Sequence, residues 1–131
     1  MNLPVWLLVA LGGALGSVAR WFSEALLNQL TFNWIYSDFG FNYSILIINV
    51  FGSFAIGLIA GFGRHQVKVW SFWATGVLGG FTTFSTLMLI SYWHLIDRYL
   101  GLFILNIFAT FFLAFVAVTI GIKISQTKSE A

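Results

Sequence analysis

Four long apolar runs dominate this 131-residue chain and constrain its fold more than any other feature. A helix needs about 20 apolar residues to cross the ~30 Å hydrocarbon core of a membrane. The runs are long enough for this, and only 8% of the residues are charged. We expect an all-α integral membrane protein that crosses the cell membrane several times, with helices over about 3–27, 43–62, 70–93 and 100–122. Residues 1–131 are expected to form this single four-helix transmembrane domain.

The composition excludes several functional classes. The chain has no cysteine, which rules out disulfides, a thiol nucleophile and a cysteine metal site. The net charge of +2 is small and spread along the chain, so no nucleic-acid surface is expected. The predicted spans contain no histidine and no nucleotide-binding loop, and no carboxylate lies deeper in them than Glu24, near a helix end. These absences predict that the protein is not an enzyme.

The third run is interrupted by an unusual polar stretch. Residues 79–86 read Gly-Gly-Phe-Thr-Thr-Phe-Ser-Thr. Glycine weakens a helix, and serine and threonine compete for its backbone hydrogen bonds. Irregular backbone at membrane depth survives only where protein buries it or water reaches it. We predict that helix 3 is broken at mid-membrane, where carbonyls and hydroxyls become available to an ion; the alternative is a close helix-packing seam of small residues.

Other polar residues in the apolar runs also allow two interpretations. Asn49 and Asn106 either join helices through hydrogen bonds or line a pathway as donors. Thr110 lies one helical turn after Asn106 on the same face. Arg20 either extends its side chain to the membrane interface or lies at the mouth of an aqueous vestibule.

Neutral donors and many aromatic rings suit a small, strongly hydrated anion. Amides and hydroxyls can replace water as donors, and the edge of a phenylalanine ring carries partial positive charge. One rival is a small four-helix proton-coupled multidrug exporter, which needs a buried carboxylate that this chain offers only weakly, at Glu24. The other rival is a purely structural subunit of a larger complex.

Three motifs make a family resemblance specific, and they occur in the order Gly12-Gly13-x-x-Gly16-x-x-x-Arg20-Trp21, Asn49-x-x-Gly52 and Gly76-x-x-Gly79-Gly80-Phe81-Thr82-Thr83-Phe84-Ser85-Thr86. The pattern resembles the Fluc/CrcB family of fluoride channels. The resemblance implies a passive fluoride-selective ion channel that exports fluoride from the cytoplasm and relieves fluoride toxicity. It also implies an antiparallel, dual-topology dimer with two pores and a central structural sodium ion.

The resemblance also implies roles for individual residues. The backbone carbonyls of Gly79 and Thr82 would hold the sodium ion, and Arg20 would lie near a vestibule. The fluoride pore would be lined by Asn49, Thr83, Phe84, Ser85, Asn106 and Thr110.

The chain departs from the family pattern at four positions. Leu87 replaces a second phenylalanine, Ile90 replaces an acidic residue, and Ser44-Ile45 replaces a Gly-Thr pair. Leucine offers no ring edge to an anion. The chain is therefore expected to act as a homodimer or as one subunit of a heterodimer whose homologous partner supplies the missing groups.

Overall fold

The computed structural model of the protein describes residues 3–35, 41, 43–63 and 66–129. These residues are almost entirely helical, in the order α1 (Val5–Ile35), α2 (Tyr43–Gly63), α3 (Val67–Trp70), a π-helical segment (Ser71–Leu78), α4 (Gly79–Phe81), α5 (Phe84–Ile96) and α6 (Leu100–Ser129). Within the described residues, 4 helical stretches are long and apolar enough to cross a membrane: Val5–Leu30, Tyr43–Gly61, Val67–Ile96 and Leu100–Thr127. The predicted all-helical class with four candidate spans is confirmed.

Three of the predicted helices are longer than expected. The first continues to Ile35 instead of ending near residue 27, and the last continues to Ser129 instead of about 122. The third region begins at Val67 and ends at Ile96, where 70 and 93 were expected. The predicted ends followed the loss of hydrophobicity, but neither extension of α1 or α6 contains the glycine or proline that would end a helix. That residues 1–131 form one domain stays a prediction.

A π-helical segment precedes the polar stretch, and no sequence signal predicted it. It covers Ser71–Leu78, and the Gly79 N–H donates to the carbonyl of Ala74, five residues earlier. Such i→i−5 bonding is rare and is found mostly as short bulges in helices, often at functional sites. Here the wider turns lead directly into α4 and the polar stretch.

Small residues let the elements that flank this stretch approach α1 closely. α1 packs along the π-helical segment and α4, while α2 and α5 pack along α6. A Cβ atom on Gly16 would overlap the carbonyl of Val77, and one on Gly80 would lie 2.5 Å from the carbonyl of Gly13. Glycine is required at both positions because backbone occupies the space of a side chain.

The interior is polar and the surface is apolar. Among the described residues, the buried polar side chains outnumber the buried hydrophobic ones; they are Ser44, Asn49, Ser71, Thr83, Ser91, His94, Asn106, Thr110 and Ser125. Large hydrophobic side chains are exposed on every long helix. This inverts the pattern of a water-soluble protein and is the arrangement expected for a bundle surrounded by lipid.

Candidate functional site

The backbone of the polar stretch leaves the helical conformation at two threonines. Thr82 has φ −77° and ψ 155°, and Thr83 has φ −145° and ψ 116°, so both are extended. α4 ends just before them at Phe81, and α5 begins just after them at Phe84. We call Thr82 and Thr83 the interruption. The Thr82 N–H still bonds to the Leu78 carbonyl over 2.9 Å. The Thr83 N–H and the carbonyls just before it leave the regular i→i−4 pattern and need other partners.

The side chain of Asn49 supplies partners for one of these residues. Its Nδ2 donates to the carbonyl of Thr83 over 3.0 Å, and its Oδ1 accepts from the Thr83 N–H over 2.8 Å. The amide thus pairs with Thr83 as a neighbouring strand would, and it fixes α2 to the interruption. Because the NH₂ group of an asparagine carries two N–H donors, one N–H remains without a partner in the described chain.

The side chain of Thr83 caps the N-terminus of α5. Its Oγ1 accepts from the Thr86 N–H over 3.2 Å and lies 3.0 Å from the Thr86 hydroxyl. The Ser85 hydroxyl is 3.3 Å away from the same atom. Thr83 is therefore an N-cap of the usual threonine type, and its hydroxyl sits in a small cluster of hydroxyls.

These bonds take away the helical donors of two backbone carbonyls. In a continuous α-helix the Thr83 N–H would bond to Gly79 and the Thr86 N–H would bond to Thr82. Asn49 and the Thr83 hydroxyl take those two N–H groups instead. Within the described residues, the carbonyl oxygens of Gly79 and Thr82 are thus left free of their helical donors.

Arg20 donates to one of the two carbonyls between them, that of Gly80. Its Nε donates to the Gly80 carbonyl over 3.3 Å, and its guanidinium lies 3.5 Å from the Glu24 carboxylate. Both side chains are about one-quarter exposed, at 28% and 27%. Arg20 was expected near a vestibule, and the structure places its side chain against the helix that ends at the interruption.

A groove of about 200 Å³ runs beside the interruption between α2, α5 and α6. It brings together four residues that the sequence singled out for a pore: Asn49, Thr83, Phe84 and Thr110. The remaining lining residues are Ser53, Ile56, Thr82, Leu87, Phe111 and Ala114. None of these side chains is ionisable, so the wall of the groove is neutral.

Thr110 has a buried hydroxyl that makes no hydrogen bond. The residue is 3% exposed, and its Oγ1 has no partner in the described chain. Threonines and serines in helices usually bond back to a carbonyl three or four residues earlier, as Ser91 and Thr119 do here. Leaving a buried hydroxyl without a partner costs about 1–3 kcal/mol, so this group is available to a ligand in the groove that it lines.

The predicted residues Ser85 and Asn106 do not line this groove. Ser85 is exposed and contacts the Thr83 hydroxyl. Asn106 is 1% exposed and donates to the Ser91 hydroxyl over 2.9 Å. Ser91 donates in turn to the carbonyl of Leu87 over 2.7 Å. The Asn106 amide thus joins α6 to α5 behind the lining residues.

Sequence reasoning missed Ser91 and Phe111. Ser91 is 1% exposed and links Asn106 to Leu87. A signal for it existed, because it lies one helical turn after Leu87 on the same face. Phe111 lies edge-on to Phe84, with ring centroids 6.3 Å apart and planes at 65°. It belongs to a run of phenylalanines in α6, and nothing in the sequence distinguishes it from its neighbours.

Comparison with known proteins identifies the family. The sequence profile described as "CrcB-like protein, Camphor Resistance (CrcB)" matches residues 7–122. A fluoride-specific ion channel FluC from Thermus thermophilus is 36% identical over 129 residues, which cover 95% of each chain. The chain belongs to the CrcB family.

Two further relatives carry the same name. The fluoride-specific ion channel FluC of Campylobacter jejuni is 36% identical over 122 residues, covering 88% of this chain and 92% of the relative. That of Deinococcus radiodurans is 45% identical over 89 residues, covering 66% and 67%. Family membership and the four apolar spans make this CrcB protein a multi-pass protein of the cell membrane.

Proposed function

We propose that this CrcB protein is a passive fluoride-selective ion channel that exports fluoride from the cytoplasm and so relieves fluoride toxicity. The proposal rests on the neutral groove beside the interruption. Two of its lining residues offer donors: Thr110, whose buried hydroxyl has no partner in the described chain, and Asn49, whose amide has one N–H left to donate. The names of the relatives support fluoride as the permeating ion.

The chemistry of the groove favours a small anion. A fluoride ion entering it would trade water donors for the Thr110 hydroxyl and the Asn49 amide. The edge of the Phe84 ring adds weak positive partial charge. Without a fixed cation, binding stays weak enough for release, which a conducting site requires.

An exporter that exchanges protons for substrate has less support than a channel. Its mechanism depends on a carboxylate that gains and loses a proton inside the membrane. Glu24 is the candidate, and it is paired with Arg20 instead of facing the groove. The relatives are named as ion channels, which also favours a channel over an enzyme.

The proposed working unit is an antiparallel, dual-topology dimer with two pores. Phe84 is 63% exposed although it lines the groove, so one copy leaves the pathway open along one side. A second copy would close it. The partner is either an identical chain or a homologous subunit, and the heterodimer is favoured if the leucine at position 87 prevents conduction by two identical copies.

The proposed sodium site lies where two such copies would meet. The carbonyls of Gly79 and Thr82 fit a hard cation, because oxygen ligands are what such ions prefer. When bound, the ion would neutralise the negative ends of these peptide dipoles and so hold the interrupted helices together. Arg20 would keep the intervening Gly80 carbonyl out of the ligand set.

Transport by the purified protein in liposomes tests the proposal. We expect fluoride to leave loaded vesicles passively, while chloride in matched vesicles stays inside. Fluoride release no faster than from protein-free vesicles would overturn the homodimeric channel. Release that requires an imposed proton gradient would instead indicate an exporter.

A further inference from the structure

Phe111 stands out among the phenylalanines of α6 by its position. Four of them are largely exposed, namely Phe108, Phe111, Phe112 and Phe115. Phe111 alone in this set lines the groove, and it follows directly after Thr110, whose hydroxyl is unpaired. Phe111 is 54% exposed, and part of its exposed surface lines the groove, whereas the other three rings are not among the lining residues.

The contact with Phe84 gives this ring a defined orientation. The two rings meet edge to face across the groove, from α5 and α6, at 6.3 Å and 65°. Such pairs are held by the attraction between a positive ring edge and a negative ring face. Each ring therefore limits the rotation of the other, and both rings line the groove.

We propose that Phe111 is a specificity-determining residue of the anion pathway, a proposal that rests on the proposed channel function. Phe84 and Phe111 are the aromatic residues of the groove lining, whereas Leu87 beside them is aliphatic and 2% exposed. Phe111 supplies the second ring edge to a dehydrating anion on the α6 side. It also holds the Phe84 ring in its orientation.

Removal of the ring tests this role against a merely lipid-facing one. Phe111→Ile keeps an apolar side chain but removes the ring edge, and Phe112→Ile makes the same change at the next position, outside the groove. We expect fluoride release to fall roughly tenfold in Phe111→Ile, the size expected for loss of one aromatic contact. Phe112→Ile should match the wild type. Equal rates in Phe111→Ile and Phe112→Ile would overturn the proposal.

Two further variants keep the test valid if packing suffers. Phe111→Tyr retains the ring and should conduct close to the wild type, so a loss as large as that of Phe111→Ile would count against the ring-edge role. Adding Leu87→Phe to Phe111→Ile returns a ring to the groove from α5 and should recover part of the flux; no recovery in a folded double variant would contradict it. A wild type without fluoride flux would overturn the homodimeric channel and this proposal together, whereas normal wild-type flux with an unaffected Phe111→Ile overturns this one alone.

Discussion

The interruption and the seam between α2 and α6 are built from the same kinds of residue but differ in how their polar groups are satisfied. We define the seam by Gly57, Gly61, Gly121 and Ser125. A Cβ atom on Gly57 would overlap the Val118 carbonyl, so the backbones touch as closely as they do at α1. Small residues therefore indicate close packing in both regions, and they do not by themselves identify a site.

The polar groups of the seam are paired, whereas several at the interruption are not. Ser125 is 0% exposed and its hydroxyl lies 2.9 Å from the Ile122 carbonyl and 3.4 Å from that of Gly57. Beside the interruption, the Thr110 hydroxyl has no partner and two carbonyls have lost their donors. Unpaired polar groups, and not small residues, therefore distinguish the proposed ion pathway from the seam. Changes at the interruption should thus alter transport, and changes in the seam should alter stability.

The largest effect is expected from Asn49→Asp. A carboxylate cannot donate to the Thr83 carbonyl and places negative charge beside the groove. Loss of a buried hydrogen bond together with charge repulsion of a few kcal/mol predicts a fall in fluoride flux of about a hundredfold or more. Flux is measured in liposomes that contain equal amounts of monodisperse protein. Wild-type flux in this variant would mean that Asn49 only joins helices.

Gly57→Ala should lower stability without changing transport per folded molecule. The added methyl group meets the backbone of α6 and forces the two helices apart, which costs about 1–3 kcal/mol. We expect a melting temperature several degrees lower in detergent. Gly101→Ala is the matched control, because no atom lies within 4 Å of its added Cβ atom. An unchanged melting temperature for Gly57→Ala would contradict the close seam.

Sodium removal should lower the melting temperature by a smaller amount, and the size of this decrease should depend on Asn49. If the free carbonyls of Gly79 and Thr82 bind sodium, replacing sodium by a bulky organic cation should lower the melting temperature. In Asn49→Ala the Thr83 N–H can return to the Gly79 carbonyl, so the sodium-dependent stabilisation should shrink. The melting temperatures of both proteins with and without sodium measure this. A wild type insensitive to sodium would contradict the proposed site.

The sequence predicted a helix break within residues 79–86 because glycine and hydroxyl residues are conspicuous in an apolar run. The family resemblance implied six pore residues, and the structure places four of them, Asn49, Thr83, Phe84 and Thr110, along one groove. The pore role itself stays a prediction. The pairing of Asn49 with Thr83 was beyond prediction, because the two residues are 34 positions apart and either neighbour of Thr83 offers the same backbone groups.

Other features could not be predicted because local patterns do not encode them. The bond from Arg20 to the Gly80 carbonyl links residues 60 positions apart through a backbone group that every residue carries. Nothing in the composition of Ser71–Leu78 predicts that this segment is π-helical. The predicted helix ends were too short because the length of an apolar run reflects the thickness of the membrane, whereas glycine and proline indicate where a helix stops.

A comparison of two variants tests most directly whether fluoride transport requires the polar groups beside the interruption that lack hydrogen-bond partners. Thr110→Val replaces the unpaired hydroxyl by a methyl group of similar shape, and Ser125→Ala removes the paired hydroxyl of the seam. Fluoride flux and melting temperature are measured for both. We predict that Thr110→Val loses roughly tenfold in flux with unchanged or higher stability, and that Ser125→Ala keeps its flux but loses about 1 kcal/mol of stability. Wild-type flux in Thr110→Val, or an equal loss of flux in Ser125→Ala, would contradict the account.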